Sequence, residues 1–548
     1  MNRIGPILAA LSLLAVSPLA ADHGGSEVLG SVSFPSSCRP ELQPAFERGV
    51  AILHSFGYSV AEKAFADVAG QDPSCAIAHW GIAMTWYHPL WVAPTPAELA
   101  TGKAAAEKAA AIAASNPAVN ERERGFIAAI GTFYADSASA DHKTRSLRYR
   151  DAMAALAKKF PEDPEAQLFY ALSLLGTAPP SDATRAQQLQ ALGLLTPLVT
   201  KFPNHPAVAH YMIHSLDYPE LAAQGLDAAR RYARIAPASP HALHMPSHVF
   251  IRLGLWPEAI ASNVDSAALA HSMGGGYGAP GSKDELHALD YLAYAYLQGG
   301  QDEEAAAVVA QATALVEASP EPAAQSAYAL AAIPARYALE RGRWEEAAAL
   351  PRAMTKEGKV DGFIATTYSY VPAITAFARA LGAARSGDVD AADAALAELT
   401  AEQQKLAKSP PPGPYDWAGY VEAQRLAAAG WIAHARGKND EARTLLEQAA
   451  TLEEKVGKHP VTPGSVLPAR ELLGDLYLEL DRPREALATY ESSLIATPNR
   501  LRSLEGAAKA AELAGEADRG RTLRNLIAAL TASGTRHGGE KVATKRGG

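Results

Sequence analysis

Small and apolar positions recur along the chain at intervals that mark out helices and their turns. Near the start, Gly49, Ala61, Phe65 and Pro73 lie 12, 4 and 8 residues apart, and near the end Gly474, Ala486, Tyr490 and Pro498 repeat those intervals. Between them the pattern continues as a small turn residue with an alanine five positions later: Gly254/Ala259, Gly300/Ala305, Gly342/Ala347, Gly387/Ala392 and Gly437/Ala442. Weaker units fit Ala105 to Pro117, Ala152 to Pro164 and Ala228 to Pro240. Polar positions keep helical spacing too. His241, His244, His248 and Arg252 stand at i, i+3, i+7 and i+11, and His210, His214 and Asp217 at i, i+4 and i+7. Each set therefore shares one helix face. Pro246 falls inside the first of these faces, where an interior proline costs about 3 kcal/mol. That helix either starts late, with Pro246 in its first turn, or kinks between His244 and His248.

The spacing of small residues and closing prolines resembles the tetratricopeptide repeat, a helix–turn–helix unit of about 34 residues. The resemblance runs from about residue 41 to 530 in roughly ten units and implies an all-α, right-handed α-solenoid with no sheet. One such hairpin cannot bury its apolar face alone, so units stack. In the repeat's numbering, first-helix positions 2, 5, 9, 12 and 13 line the concave groove. On that basis His210 and Asp217, then His241, His244, His248 and Arg252, then His287, Asp290 and Tyr294 come from three consecutive units onto the groove, with His54 from the first unit.

Composition fits this reading. Alanine is abundant and β-branched residues are sparse, which favours helices. A chain of 548 residues is too long for one core, which calls for several domains or a repeat array. A net charge of −9 argues against a nucleic-acid partner. Residues 1–21 read as a signal peptide, with Arg3 before the apolar Ile4 to Val16 stretch, so the chain is expected to be exported, periplasmic or secreted. No later run is long enough to span a membrane. An N-terminal extension over 22–40 precedes a histidine-rich half, 41–300, a second repeat half, 301–530, and a basic, disordered tail, 531–548. The two cysteines, Cys38 and Cys75, are expected to pair in an oxidising compartment.

Six of the sixteen histidines fall between His205 and His248. Neutral imidazole suits Cu, Zn, Fe or Ni, and an added carboxylate suits Zn or non-haem Fe. His210, His214, His241, His244, His248 and His287 are therefore candidate ligands of a transition metal (Cu, Zn or Fe). Asp217 stands beside His210 and His214 on one wall, and Asp290 is a candidate to orient a ligating imidazole. Arg252 would position an anionic group of a small ligand, and metal-assisted oxidation or hydrolysis would be the reaction class. The rival reading is a non-catalytic scaffold whose polar groove grips a peptide or protein partner. No H-E-x-x-H, nucleophile elbow or phosphate-binding loop occurs to favour another chemistry.

Three insertions break the regularity. Tyr87 to Ala97 brings His88 and Trp91 towards the groove, Gly274 to Ser282 places Tyr277 as a ligand contact on a glycine-rich lid, and Pro410 to Pro414 reads as a rigid connector. The segment H-A-L-H-M-P-S-H-V-F-I-R-L-G-L-W, His241 to Trp256, is similar to one found in a group of exported bacterial tetratricopeptide proteins. That resemblance implies fold and export and carries no mechanism.

Overall fold

The structure, a computed structural model, describes residues 27–90, 93–180, 182–273, 282–317, 324–351, 370–411 and 415–537. Among the described residues there are helices and connecting turns, and no strand. Consecutive helices pack as antiparallel pairs, beginning with Gln43–His54 and Tyr58–Gln71, and the first helix of a unit also meets the first helix of the next. The chain is thus an α-solenoid of stacked helical hairpins.

The repeated intervals have a direct packing meaning. Phe65 sits between Gly49 of its own unit and Gly81 of the next; a Cβ on Gly49 would stand 2.7 Å from its ring. Tyr490 occupies the same place between Gly474 and Gly506 at the other end. Glycine is required there because the aromatic ring of each second helix lies against the backbone of two first helices. The five turn glycines, Gly254, Gly300, Gly342, Gly387 and Gly437, all have positive φ, between 60° and 89°. They close their helices in the left-handed conformation that costs glycine nothing.

The extension before the first helix is part of the core. Phe34 is fully buried against Phe46, Trp80 and Phe126. Cys38 and Cys75 are disulfide-bonded, with Cα atoms 4.6 Å apart, tying the extension to the second unit. Backbone bonds from Ser31 to Asn204 and from Ala238 to Val28 lace it across to the histidine-bearing helices.

The solenoid closes on itself. Trp256 donates its indole N–H to the Asn499 carbonyl at 2.8 Å, and the Asn499 amide donates to Gly254 O at 3.3 Å. Next to them Arg500, 1% exposed, donates to Glu340 at 2.6 Å and Glu471 at 2.7 Å and reaches Tyr294 Oη at 3.2 Å. All of these but the Glu471 contact join residues more than 150 positions apart and hold the last units against the middle of the array. The final helix, Ala517–His537, continues past residue 531, where the sequence suggested a tail begins. The signal-peptide segment lies outside the described residues.

Candidate metal centre

Three helices carry the six candidate imidazoles. Pro206–Leu216 begins with Pro206, whose missing N–H costs nothing at that position, and ends at Asp217. The next is split in two. Pro240–His244 is capped by Ser239, whose hydroxyl accepts from Ala242 N, and Pro246–Leu253 follows after Met245. The break keeps helical angles at Met245 while Pro246 removes a backbone bond, and His248 N donates to Met245 O in a tightened turn. Ser282–Gln298 supplies His287.

These helices gather the histidines into two adjacent trios. In the first, His210 Nε2 lies 3.1 Å from His214 Nε2 and 3.0 Å from His241 Nε2. In the second, His244 Nε2 lies 3.1 Å from His248 Nε2, and the His287 ring is 4.2 Å from that of His244, centroid to centroid. Within each trio one ligand atom per residue lies within 4.8 Å of the others. His210, His244 and His248 are at most 1% exposed, while His214 and His287 are half-buried and face a common cavity of ≈ 910 Å³.

The outer nitrogens decide what the inner ones can do. His210 Nδ1 donates to the His54 carbonyl at 2.6 Å. His244 Nδ1 donates to Asn263 Oδ1 at 2.7 Å, and the Asn263 amide is oriented by donating its own N–H to Ala259 O. His248 Nδ1 donates to Asp217 Oδ2 at 2.9 Å. A neutral imidazole carries one N–H, so these three rings turn bare Nε2 lone pairs towards the trio centres. Burial pushes all six imidazoles below their ordinary pKa, His214 to about 3, so none is held as a cation.

Each trio has an aromatic wall. Phe56 meets His210, His214 and His241 at 4.4, 5.7 and 5.2 Å between centroids, and Tyr291 meets His244, His248 and His287 at 4.6, 4.9 and 5.3 Å. Phe56 is held at φ 56°, a conformation unusual for a bulky residue. Behind the second trio, Asp217 accepts from Arg252 Nε at 2.9 Å and Lys458 Nζ at 3.1 Å. Burial pushes the Asp217 carboxyl up, but Lys458 and Arg252 outweigh it and hold it well below the usual carboxylate range. Burial also lowers Lys458 to about 8 against the pull of Asp217.

Lys458 comes from the second half of the chain. It lies in the segment 457–468 between Asn439–Val456 and Ala469–Glu479, which lines the same cavity as His214 and His287. Thr462 O accepts from Tyr291 Oη at 3.1 Å, and Gly464 and Ser465 carbonyls accept from Arg336.

The other expected site residues divide. Asp290 is 2% exposed and faces Arg336 at 3.7 Å, so the carboxylate that orients an imidazole is Asp217. Arg252 directs Nε and Nη2 onto Asp217. Tyr294 accepts from Arg500 and lines the cavity. His88 packs on Tyr58 and Trp86, while its neighbours Pro89 and Leu90 line the cavity. Tyr277 and Trp91 lie outside the described residues. His54 is fully buried and belongs to another cluster: its Nε2 and that of His205 lie 2.8 and 3.0 Å from the two oxygens of Glu165.

Asn263, Tyr291, Phe56 and Lys458 escaped the sequence reading. Asn263 sits on a second helix and Phe56 in a turn, neither a groove position of the repeat. For Lys458 a cue existed, because 457–468 is a twelve-residue connection with prolines at 460, 463 and 468 in an array of short turns.

No family model matches the chain, and no curated protein does. Among solved structures, the human IFIT1 dimer with m7Gppp-AAAA shares 12% identity at a TM-score of 0.39, covering 88% of this chain and 95% of that one. The APC/C hetero-tetramer Cut9-Hcn1 shares 11% at 0.35, covering 86% and 76%. Likeness at this level says nothing of ligand or partner, and the assignment as a solenoid rests on the hairpins themselves.

Proposed function

We propose that this protein is an exported, metal-binding α-solenoid that presents a histidine-held transition metal to the cavity lined by His214 and His287, where it assists the oxidation or hydrolysis of a small molecule. One observation carries the reading. His244 and His248 both commit Nδ1–H to an acceptor, leaving two bare Nε2 lone pairs 3.1 Å apart in a buried site. Such lone pairs repel, and burial disfavours a proton between them. A metal ion turns both into ligands. The Asp217 carboxylate behind His248 is the partner that raises ligand basicity and fixes its tautomer. All-nitrogen donors favour Cu, Zn, Fe or Ni over Mg or Ca. Export is supported by the leader-like N-terminus and the Cys38–Cys75 disulfide.

The test is elemental analysis of the purified full chain beside a His244→Ala/His248→Ala variant, with circular dichroism to show that both are folded. Near-stoichiometric metal that falls by at least one ion per chain in the variant is the expected result. No metal in either folded protein would leave the rival reading, a scaffold that binds a peptide or protein.

A further inference from the structure

The arrangement of the six histidines goes further than a single ion. The two trios adjoin. His214 and His248 lie 6.2 Å apart between ring centroids, and His241 and His244 lie 6.3 Å apart. Neither gap exceeds the 6.5 Å that separates His214 from His241 inside one trio. The half-buried member of each trio, His214 or His287, lines the same cavity. Two ions bound here would be close neighbours with open positions on one shared space, the condition for a single ligand to bridge them.

Charge narrows which ions fit. All six donors are neutral imidazoles, and neither trio contains a carboxylate. The nearest one, Asp217, already faces Arg252 and Lys458. Two dications would therefore place four positive charges in a buried site with nothing assigned to offset them, and their repulsion is four times that of two monocations at equal distance. Among the metals that imidazole suits, copper has an accessible monovalent state.

We propose that the two trios form one paired copper site that binds dioxygen between its ions. This rests on the metal reading above. Each cuprous ion gives one electron, and bound dioxygen takes both, keeping its O–O bond and becoming a dianion. No proton or further reductant enters the step. Its charge balance suits the site: two monocations before, two dications and one dianion after, a net of two positive charges in each case. The aromatic walls Phe56 and Tyr291 limit water at the ions, leaving the cavity side for entry.

The experiment uses the full chain loaded with cuprous ion under reducing, oxygen-free conditions, then freed of excess and exposed to oxygen. The expected result is two copper ions per chain and uptake of one dioxygen per two ions. The oxidised protein should show little electron paramagnetic resonance signal, because two cupric ions sharing a ligand pair their spins, and acid release should restore the full signal of both. A His214→Ala variant should hold one ion that is visible after oxidation. One copper per wild-type chain, two copper ions with full resonance intensity in air, or two zinc ions that copper does not displace would each overturn the pair as proposed while leaving the metal reading intact. Absence of any bound metal would overturn both.

Discussion

Two imidazole clusters lie within a few residues of each other in this protein, and they solve the burial of polar nitrogen in opposite ways. In the first, His54 and His205 turn their Nε2–H groups onto the two oxygens of Glu165, while Tyr211 Oη–H donates to His54 Nδ1 at 2.8 Å and Ala207 N–H to His205 Nδ1 at 3.3 Å. Every nitrogen has a partner of the right polarity, so the cluster needs nothing more. In the second, acceptors hold the outer N–H of His210, His244 and His248, and the inner nitrogens converge with no carboxylate among them. Three clustered ligand-type residues are common to both, so clustering alone does not make a site. The direction in which the protons point does. The clusters are also joined: the carbonyl of His54 anchors His210, so the satisfied cluster serves as a fixed mount for the other.

This contrast can be broken by experiment, from large effects to small. Glu165→Ala leaves two buried imidazole N–H groups unpaired and removes the only charge of its cluster. It should lower unfolding free energy by about 1–3 kcal/mol for each of the two stranded donors in denaturant titration, while bound metal per chain is unchanged. Metal lost in proportion would show that the first cluster is itself a site. Metal added to the wild type at about 100 times its dissociation constant should raise stability by about 2.7 kcal/mol per site, read as a rise in melting temperature that His244→Ala/His248→Ala loses at least in part. Asp217→Asn keeps the shape but removes the charge behind His248, and should weaken metal binding about 10–100-fold in competition with a chelator. An unchanged affinity would reduce Asp217 to a clamp for Lys458.

The smallest effect is one of pH. Burial pushes the Glu165 carboxyl up, yet the imidazoles of His54 and His205 outweigh it and hold Glu165 below its ordinary value of 4.5. A depressed carboxylate stabilises the fold above its unfolded pKa and ceases to as pH falls through the folded one. The stability gap between wild type and Glu165→Gln should therefore be fully present at pH 7 and shrink below about pH 4.5. A gap that is flat down to pH 3 would contradict the assignment.

What the sequence made legible follows from periodicity. The stacking of Phe65 and Tyr490 on paired glycines is written in fixed intervals, and the groove phase placed His210, His241, His244, His248 and His287 on converging faces. Pro246 announced a break that the structure puts at Met245. Sequence reasoning could not divide six histidines into two trios, because that depends on the offset between neighbouring helices rather than on position within a repeat. His54 illustrates the limit: its phase in the repeat marked it as a ligand contact, but Glu165, 111 residues away, takes its ring. Long-range closure was equally hidden, since nothing local to Lys458 shows that it meets Asp217 across 241 positions.

The central claim, that the converging histidines hold metal and the satisfied ones do not, is tested most directly by diffraction from crystals of the metal-loaded full chain on both sides of the metal's absorption edge. Anomalous density is expected among the Nε2 atoms of His244, His248 and His287, and likewise among those of His210, His214 and His241. None is expected at Glu165. Density at His54, Glu165 and His205, or none among the six histidines, would contradict it.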